Sequence, residues 1–207
     1  MYDIGYFKST EKEQILAFMR AHSFATVIGT ENDYPVATHL PLLVSEQEER
    51  LLFTGHLMRK TTHHSAFEKN KQVLVIFQSE PAYIHASWYK NTAQASTVNY
   101  MAVHAKGAIH FGDEAATLDA IKNITTTHLG NAGPGSYDQI PEDYLTEHVK
   151  AIVSFSIEVA ALQHVFKLSQ NKSQQDQNNI IAELEKRGGS GDLFIAGEMK
   201  KIILKKA

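Results

Sequence analysis

From Phe24 to Phe111 apolar and polar residues mostly alternate with a period of two, and clusters of turn formers interrupt the alternation at short intervals. FATVIGT (24–30) reads as a strand, Asn32-Asp33-Tyr34-Pro35 as a turn and 36–44 as a second strand. In that second strand Val36, Thr38, Leu40, Leu42 and Val44 share one side, and Ala37, His39, Pro41 and Leu43 share the other. Pro41 has no N–H for a ladder, so the strand is expected to be an edge or to bulge there. Residues 45–50 read as a polar turn, 51–56 as a third strand, and 72–79 as a nearly continuous apolar and central one. Strands are also expected at 83–86, 98–111 and 153–159.

Helical spacing marks the remainder. Thr10-Glu11-Lys12-Glu13 fits a capping box, followed by an apolar face of Ile15, Leu16, Phe18 and Met19, which predicts a helix over 11–22. Further helices are expected at 59–70, from an Asp113 cap to about His128 with Leu118, Ile121 and Ile124 inward, and at 142–149. A polar helix opens at Ser173 with Ile180, Ile181 and Leu184 on one face. Gly188-Gly189-Ser190-Gly191 should break it, and Asp192 should cap a last segment ending in Lys200, Lys201, Lys205 and Lys206. Residues 130–141, with three glycines and two prolines, read as a loop. Strands in hairpin order, with helices in the connections and at the ends, predict a mainly β fold: an antiparallel barrel with peripheral helices.

Composition narrows the function classes. The 207 residues are expected to form one domain over 1–170 with a helical extension over 171–207. A formal charge of -3 supplies no global field toward nucleic acid. The absence of cysteine excludes disulfides and thiolate chemistry. The first residues lack the basic and apolar regions of a secretory signal, and no apolar run approaches the roughly 20 residues of a membrane span. A cytoplasmic protein without a membrane partner is expected.

The richest stretch for chemistry is Tyr83–Gly107. It holds the sole tryptophan, Trp88, beside Ser87 and Tyr89, then Thr97, Asn99 and Tyr100, then His104 and Lys106 on one strand face. Aromatics next to hydrogen-bonding groups and a cation suit a flat, anionic ligand. Arg59-Lys60-Thr61-Thr62 follows Phe53-Thr54-Gly55-His56 at a strand-to-helix junction, where two cations and free helix-start N–H groups make a phosphate cradle. The alternative there is a solvated basic pair beside a helix cap. Gly55 is expected to let a ligand approach the backbone. Thr38 and His39 either face water on an edge strand or flank a flavin edge. Eleven histidines occur without HExxH spacing, so no metal site is expected.

ATHLPLL (37–43), TGH (54–56), YIHASWY (83–89), TVNY (97–100), VHAKG (103–107) and KLSQN (167–171) occur in one order. In this the chain resembles the PaiB-type FMN-binding negative transcriptional regulators. That family is similar in turn to the pyridoxamine-phosphate-oxidase-like split barrels. The resemblance covers roughly residues 1–187 and implies an antiparallel split β-barrel, a homodimer, and FMN at the subunit interface. It implies that Thr54, Arg59 and Lys60 hold the phosphate end, and that Thr38, His39 and Leu40 line the ring; His56 is a further candidate contact to the cofactor. It further implies that the stretch around Asn99, Tyr100 and His104 closes the site from one subunit, and the neighbouring aromatic cluster adds Ser87 and Trp88 as candidate cofactor contacts. Many members carry Ala-Asn-Pro after the Gly-His pair, where this chain has Met58-Arg59-Lys60-Thr61-Thr62. The substrate contacts of the oxidases have no counterpart here, so that activity is not implied. DNA enters as a partner through the resemblance alone. The alternatives are a flavin reductase or oxidase, with His39, His56 or His104 as acid–base groups, and a haem-binding split barrel.

Overall fold

Among the described residues eight strands and six α-helices follow the sequence pattern closely, and the departures from it are informative. The computed structural model describes residues 1, 4–9 and 11–206, side chains excepted at 205 and 206; the Thr10 capping box lies outside the described residues. Helix α1 (Lys12–Ala21) buries Leu16, Phe18 and Met19. Strands β1 (Phe24–Glu31) and β2 (Tyr34–Pro41) pair in register from Phe24↔Pro41 to Glu31↔Tyr34.

The predicted strand over 36–44 is two strands. Pairing of β2 ends at Pro41, and Leu42 donates its N–H to Ser23 O at 2.9 Å and buries its side chain. Strand β3 (Leu43–Gln47) then pairs with β4 (Arg50–Met58). The expected polar turn over 45–50 shrinks to Glu48 and Glu49, both at positive φ, which is the two-residue hairpin geometry that matches strand twist. Helix α2 (Thr62–Lys69) starts three residues later than expected, because Lys60 is left-handed and Thr61 caps.

Strand β5 (Gln72–Gln78) buries Val73, Val75 and Phe77. Then come β6 (Ala82–Ile84), β7 (Thr97–Phe111), α3 (Glu114–Leu129), α4 (Glu142–His148), β8 (Ile152–Lys167), α5 (Gln174–Arg187) and α6 (Ser190–Lys206). Asp113 caps α3 as expected, through Ala116 N, but only Thr117 of that helix is fully buried. Strand β8 far outruns the predicted 153–159. The GGSG segment breaks the helix as expected: Gly188 is left-handed and ends α5, while Gly191 already lies inside α6, where a Cβ would stand 2.8 Å from Pro81 O. Asp192 caps α6 from within its first turn rather than from the position before it, accepting Gly189 N at 3.3 Å and Arg187 Nε at 2.7 Å.

The chain divides into two compact units. The sheet unit (16–77 and 104–162) holds the strand order β2-β1-β5-β7-β8-β4-β3, with antiparallel registers between β1 and β2, β1 and β5, β3 and β4, and β4 and β8. The two edges of this path, β2 and β3, are consecutive in sequence, so the chain crosses from one edge to the other at Leu42. This open antiparallel sheet is a split barrel. Its core includes Phe53 and Phe77, packed edge-on with ring centroids 5.1 Å apart. At Gly107 strands β7 and β8 approach so closely that a Cβ would lie 2.3 Å from Glu158 O. The helical unit (1–15, 78–103 and 163–207) pairs β6 with the start of β7 and packs α5 against α6 through Ile180, Ile181, Leu184, Ile195, Ala196 and Met199. No helix among the described residues is long and apolar enough to cross a membrane.

Candidate functional site

Strand β4 buries Leu51, Phe53, Gly55 and Leu57, which leaves Leu52, Thr54 and His56 on the other, half-buried face. The chain leaves β4 at Met58 and turns at Arg59-Lys60. Arg59 is fixed twice: its N–H donates to Ala151 O at 2.9 Å and its Nε to Ile152 O at 2.8 Å. The guanidinium is therefore held at one edge, with its other N–H groups free for a ligand. Lys60 is exposed and takes φ 59, a conformation that costs a β-carbon-bearing residue free energy and is found where surrounding structure enforces it. Thr61 accepts from His64 N at 3.3 Å and donates its hydroxyl to Met58 O at 3.0 Å. The Thr61 hydroxyl is thus occupied by the cap, while the first amides of α2 have no acceptor within the helix. Among the described residues neither Arg59 nor Lys60 pairs with a carboxylate. Two un-neutralised cations at a helix start are an anion site in waiting.

His56 adds an unmet requirement. Its Nδ1 is buried without a hydrogen-bond partner, and burial pushes the imidazole below its ordinary value, so the ring is neutral at pH 7. A buried polar atom left unpaired is costly, and a ligand group that bonds to it would remove the cost. Burial also lowers the His104 imidazole on β7. On β2, His39 is exposed, with Nδ1 3.0 Å from Thr26 Oγ1 and its ring stacked near Phe24; Thr38 and Leu40 alternate with it and are half-buried. Gly55 does not open the backbone to a ligand. A Cβ there would lie 2.9 Å from the Phe155 ring and 3.1 Å from Leu42, so the glycine makes room for core side chains.

The remaining predicted residues lie in the helical unit and serve different ends. Asn99 is fully buried, and its amide donates to Ser169 Oγ at 2.9 Å. This removes Asn99 from the residues a ligand can touch, contrary to the expectation. Trp88, half-buried in a 3₁₀ turn (Ala86–Trp88), has the Arg187 guanidinium over its ring at 5.1 Å. Ser87 is exposed and bonds His85 Nδ1 at 2.8 Å; Tyr100 is half-buried. The KLSQN segment is a built turn: Ser169 is left-handed, Leu168 N donates to Gln170 Oε1, and Gln177 donates to Ser169 O.

Sequence reasoning missed one cavity of the sheet unit altogether. About 270 Å³ of space lies under α3, lined by Thr54, His110, Asp119, Asn123, Ser154 and Ser156 among others. Polar residues on an inward strand face (Ser154, Ser156) were its only sequence signal.

Residues 1–161 match the family model described as "Putative FMN-binding domain". The chain is 37% identical over 188 residues to "Protease synthase and sporulation protein PAI 2" of Bacillus subtilis (strain 168), covering 89% of each chain. Among solved structures it is similar to the flavocytochrome Anf3 from Azotobacter vinelandii, with TM-score 0.61, 14% identity, and coverage of 86% of this chain and 78% of that one. A second is an FAD and heme binding protein from Mycobacterium smegmatis, with TM-score 0.59, 12% identity, and coverage of 87% and 80%. At such identities the two structures bear on the fold alone.

Proposed function

The chain belongs to the PaiB-type family of FMN-binding domains, and on that premise we propose that Arg59 and Lys60 hold the phosphate of FMN in a homodimer that represses transcription. The observation that carries this reading is the pair of cations at the start of α2 without a carboxylate partner among the described residues. Thr54 and His56 extend the same face, and the orphan His56 Nδ1 fits a ligand that can hydrogen-bond to it. Thr38, His39 and Leu40 are assigned to the flavin ring. Ser87, Trp88, Tyr100 and His104 are assigned to the cofactor whose phosphate the partner subunit holds. Bound FMN supplies hydride and single-electron transfer; the residues of this chain bind, orient and shield it.

Support for the homodimer comes from β8. It lies inside the sheet, between β7 and β4, yet Glu158, Ala160, Ala161 and Leu162 are exposed. Phe24 and Tyr34 of the sheet unit are 71% and 77% exposed. Apolar residues left open on an interior strand suit a second copy. The repressor role is supported by the order of the family motifs. With a chain charge of -3, DNA contact would rest on a local patch, and salt-sensitive binding to DNA is its test. The second reading is a flavin-dependent oxidoreductase, favoured by the neutral, unpartnered His56. Sustained oxidation of a nicotinamide cofactor by the FMN-loaded protein would favour it; reduction without turnover would favour the regulator.

A further inference from the structure

The end of β8 and the turn after it bring two lysines together in the helical unit. Lys167 donates its ammonium to Thr97 Oγ1, at the start of β7. Ser169 reverses the chain at φ 59, and Lys172 N donates back to Ser169 O at 3.0 Å. Lys172 thereby lies over the Tyr89 ring, 4.6 Å from its centroid, and donates to Gln94 Oε1 at 2.6 Å. Both lysines are half-buried, and their polar partners are neutral. Among the described residues neither forms an ion pair. Asp176, the carboxylate whose charge acts on Lys172, is engaged elsewhere: it accepts Lys90 N at 2.8 Å and the Ser173 hydroxyl at 2.8 Å.

We propose that Lys167 and Lys172, with Thr97 and Gln94, form a binding site for a small oxyanion, a carboxylate or phosphate, separate from the Arg59–Lys60 cradle. Each ammonium carries three donors and has one bond assigned, so donors remain for an anion that bridges both. A partly desolvated cation is unfavourable; charge-assisted bonds to an oxyanion offset that cost at Lys167, which forms no ion pair among the described residues, and add to the through-space charge of Asp176 at Lys172. Burial and the neighbouring charge of Lys172 hold the Lys167 amine below its ordinary range. The Tyr89 ring lies under the Lys172 ammonium and attracts it through its π face.

Trp88 is the sole tryptophan and precedes Tyr89, so its fluorescence reports on this site. The full-length protein is titrated with inorganic phosphate and with succinate at constant ionic strength. A saturable change is expected, weakened about tenfold or more in Lys167→Gln and in Lys172→Gln, and unaltered in the Arg59→Ala/Lys60→Ala double variant. No saturable response, or one that survives both lysine variants, overturns the proposal. So does a response lost in the double variant, which would place the anion at the cradle. If a lysine variant does not fold, amide shifts of the wild-type protein decide: shifts centred on Gln94, Thr97 and Leu168 support the site, and shifts confined to other residues overturn it.

Discussion

Arg59→Ala tests the cradle most directly. In the structure the guanidinium is anchored by Nε on Ile152 O at 2.8 Å, so its ligand-facing donors are ordered before FMN arrives. Hydrogen bonds to a charged group contribute about 1.5–3 kcal/mol, and the pre-ordered arginine should lie in the upper half of that span. That corresponds to roughly 40- to 140-fold weaker FMN binding. Lys60 is exposed, so water and salt screen its charge, and Lys60→Ala should lie at the lower end, about tenfold. Fluorescence titration of FMN into the apoprotein measures both. Riboflavin, which lacks the phosphate, is the decisive comparison: Arg59→Ala should leave its affinity nearly unchanged. Equal losses for FMN and riboflavin would show that Arg59 acts through the fold, by its bonds to residues 151 and 152. Unchanged FMN affinity in both variants would refute the cradle.

Gly107→Ala places a Cβ 2.3 Å from Glu158 O, a backbone clash that β7 and β8 can relieve only by separating; a loss of about 1–3 kcal/mol is expected in urea unfolding. Asn99→Ala removes the buried partner of Ser169 and should cost about 1–3 kcal/mol in the same assay. His56, His63, His104 and His164 are all lowered from 6.5, chiefly by burial. The unfolded chain therefore binds more protons than the folded one once pH falls below 6.5. Stability should be flat above that pH and decline as it drops toward the folded-state values. His56→Gln should make the decline shallower, and a pH series of melting temperatures checks both. Ala161→Arg on the exposed stretch of β8 should convert a dimer to a monomer by light scattering, with secondary structure retained.

Period-two alternation located nearly every strand, because half-buried strands must present one apolar face whatever their partners are. Pro41 and Asp113 were legible for similar local reasons: a missing N–H and a side-chain cap act within a few residues. The lengths of β8 and the fate of 36–44 were not legible. Exposed Ala160 and Ala161 carry no alternation, and only the sheet reveals that Leu42 carries the chain from one edge to the other. Asn99 looked like ligand chemistry and KLSQN entered only as a family motif, since a polar residue serves a ligand or a buried partner with the same atoms; in the structure Asn99 and Ser169 bond to one another.

By itself the sequence determined the mainly β antiparallel class, the family and the junction where two cations meet a helix start, all of which follow from local pattern and motif order. The tertiary structure decided which polar groups are free. Arg59 keeps donors for a ligand because Ile152 O holds only its Nε, His56 Nδ1 is left unpaired, and Asn99 is used up by Ser169. Such a distinction depends on partners distant in the chain, and a one-dimensional pattern does not contain them.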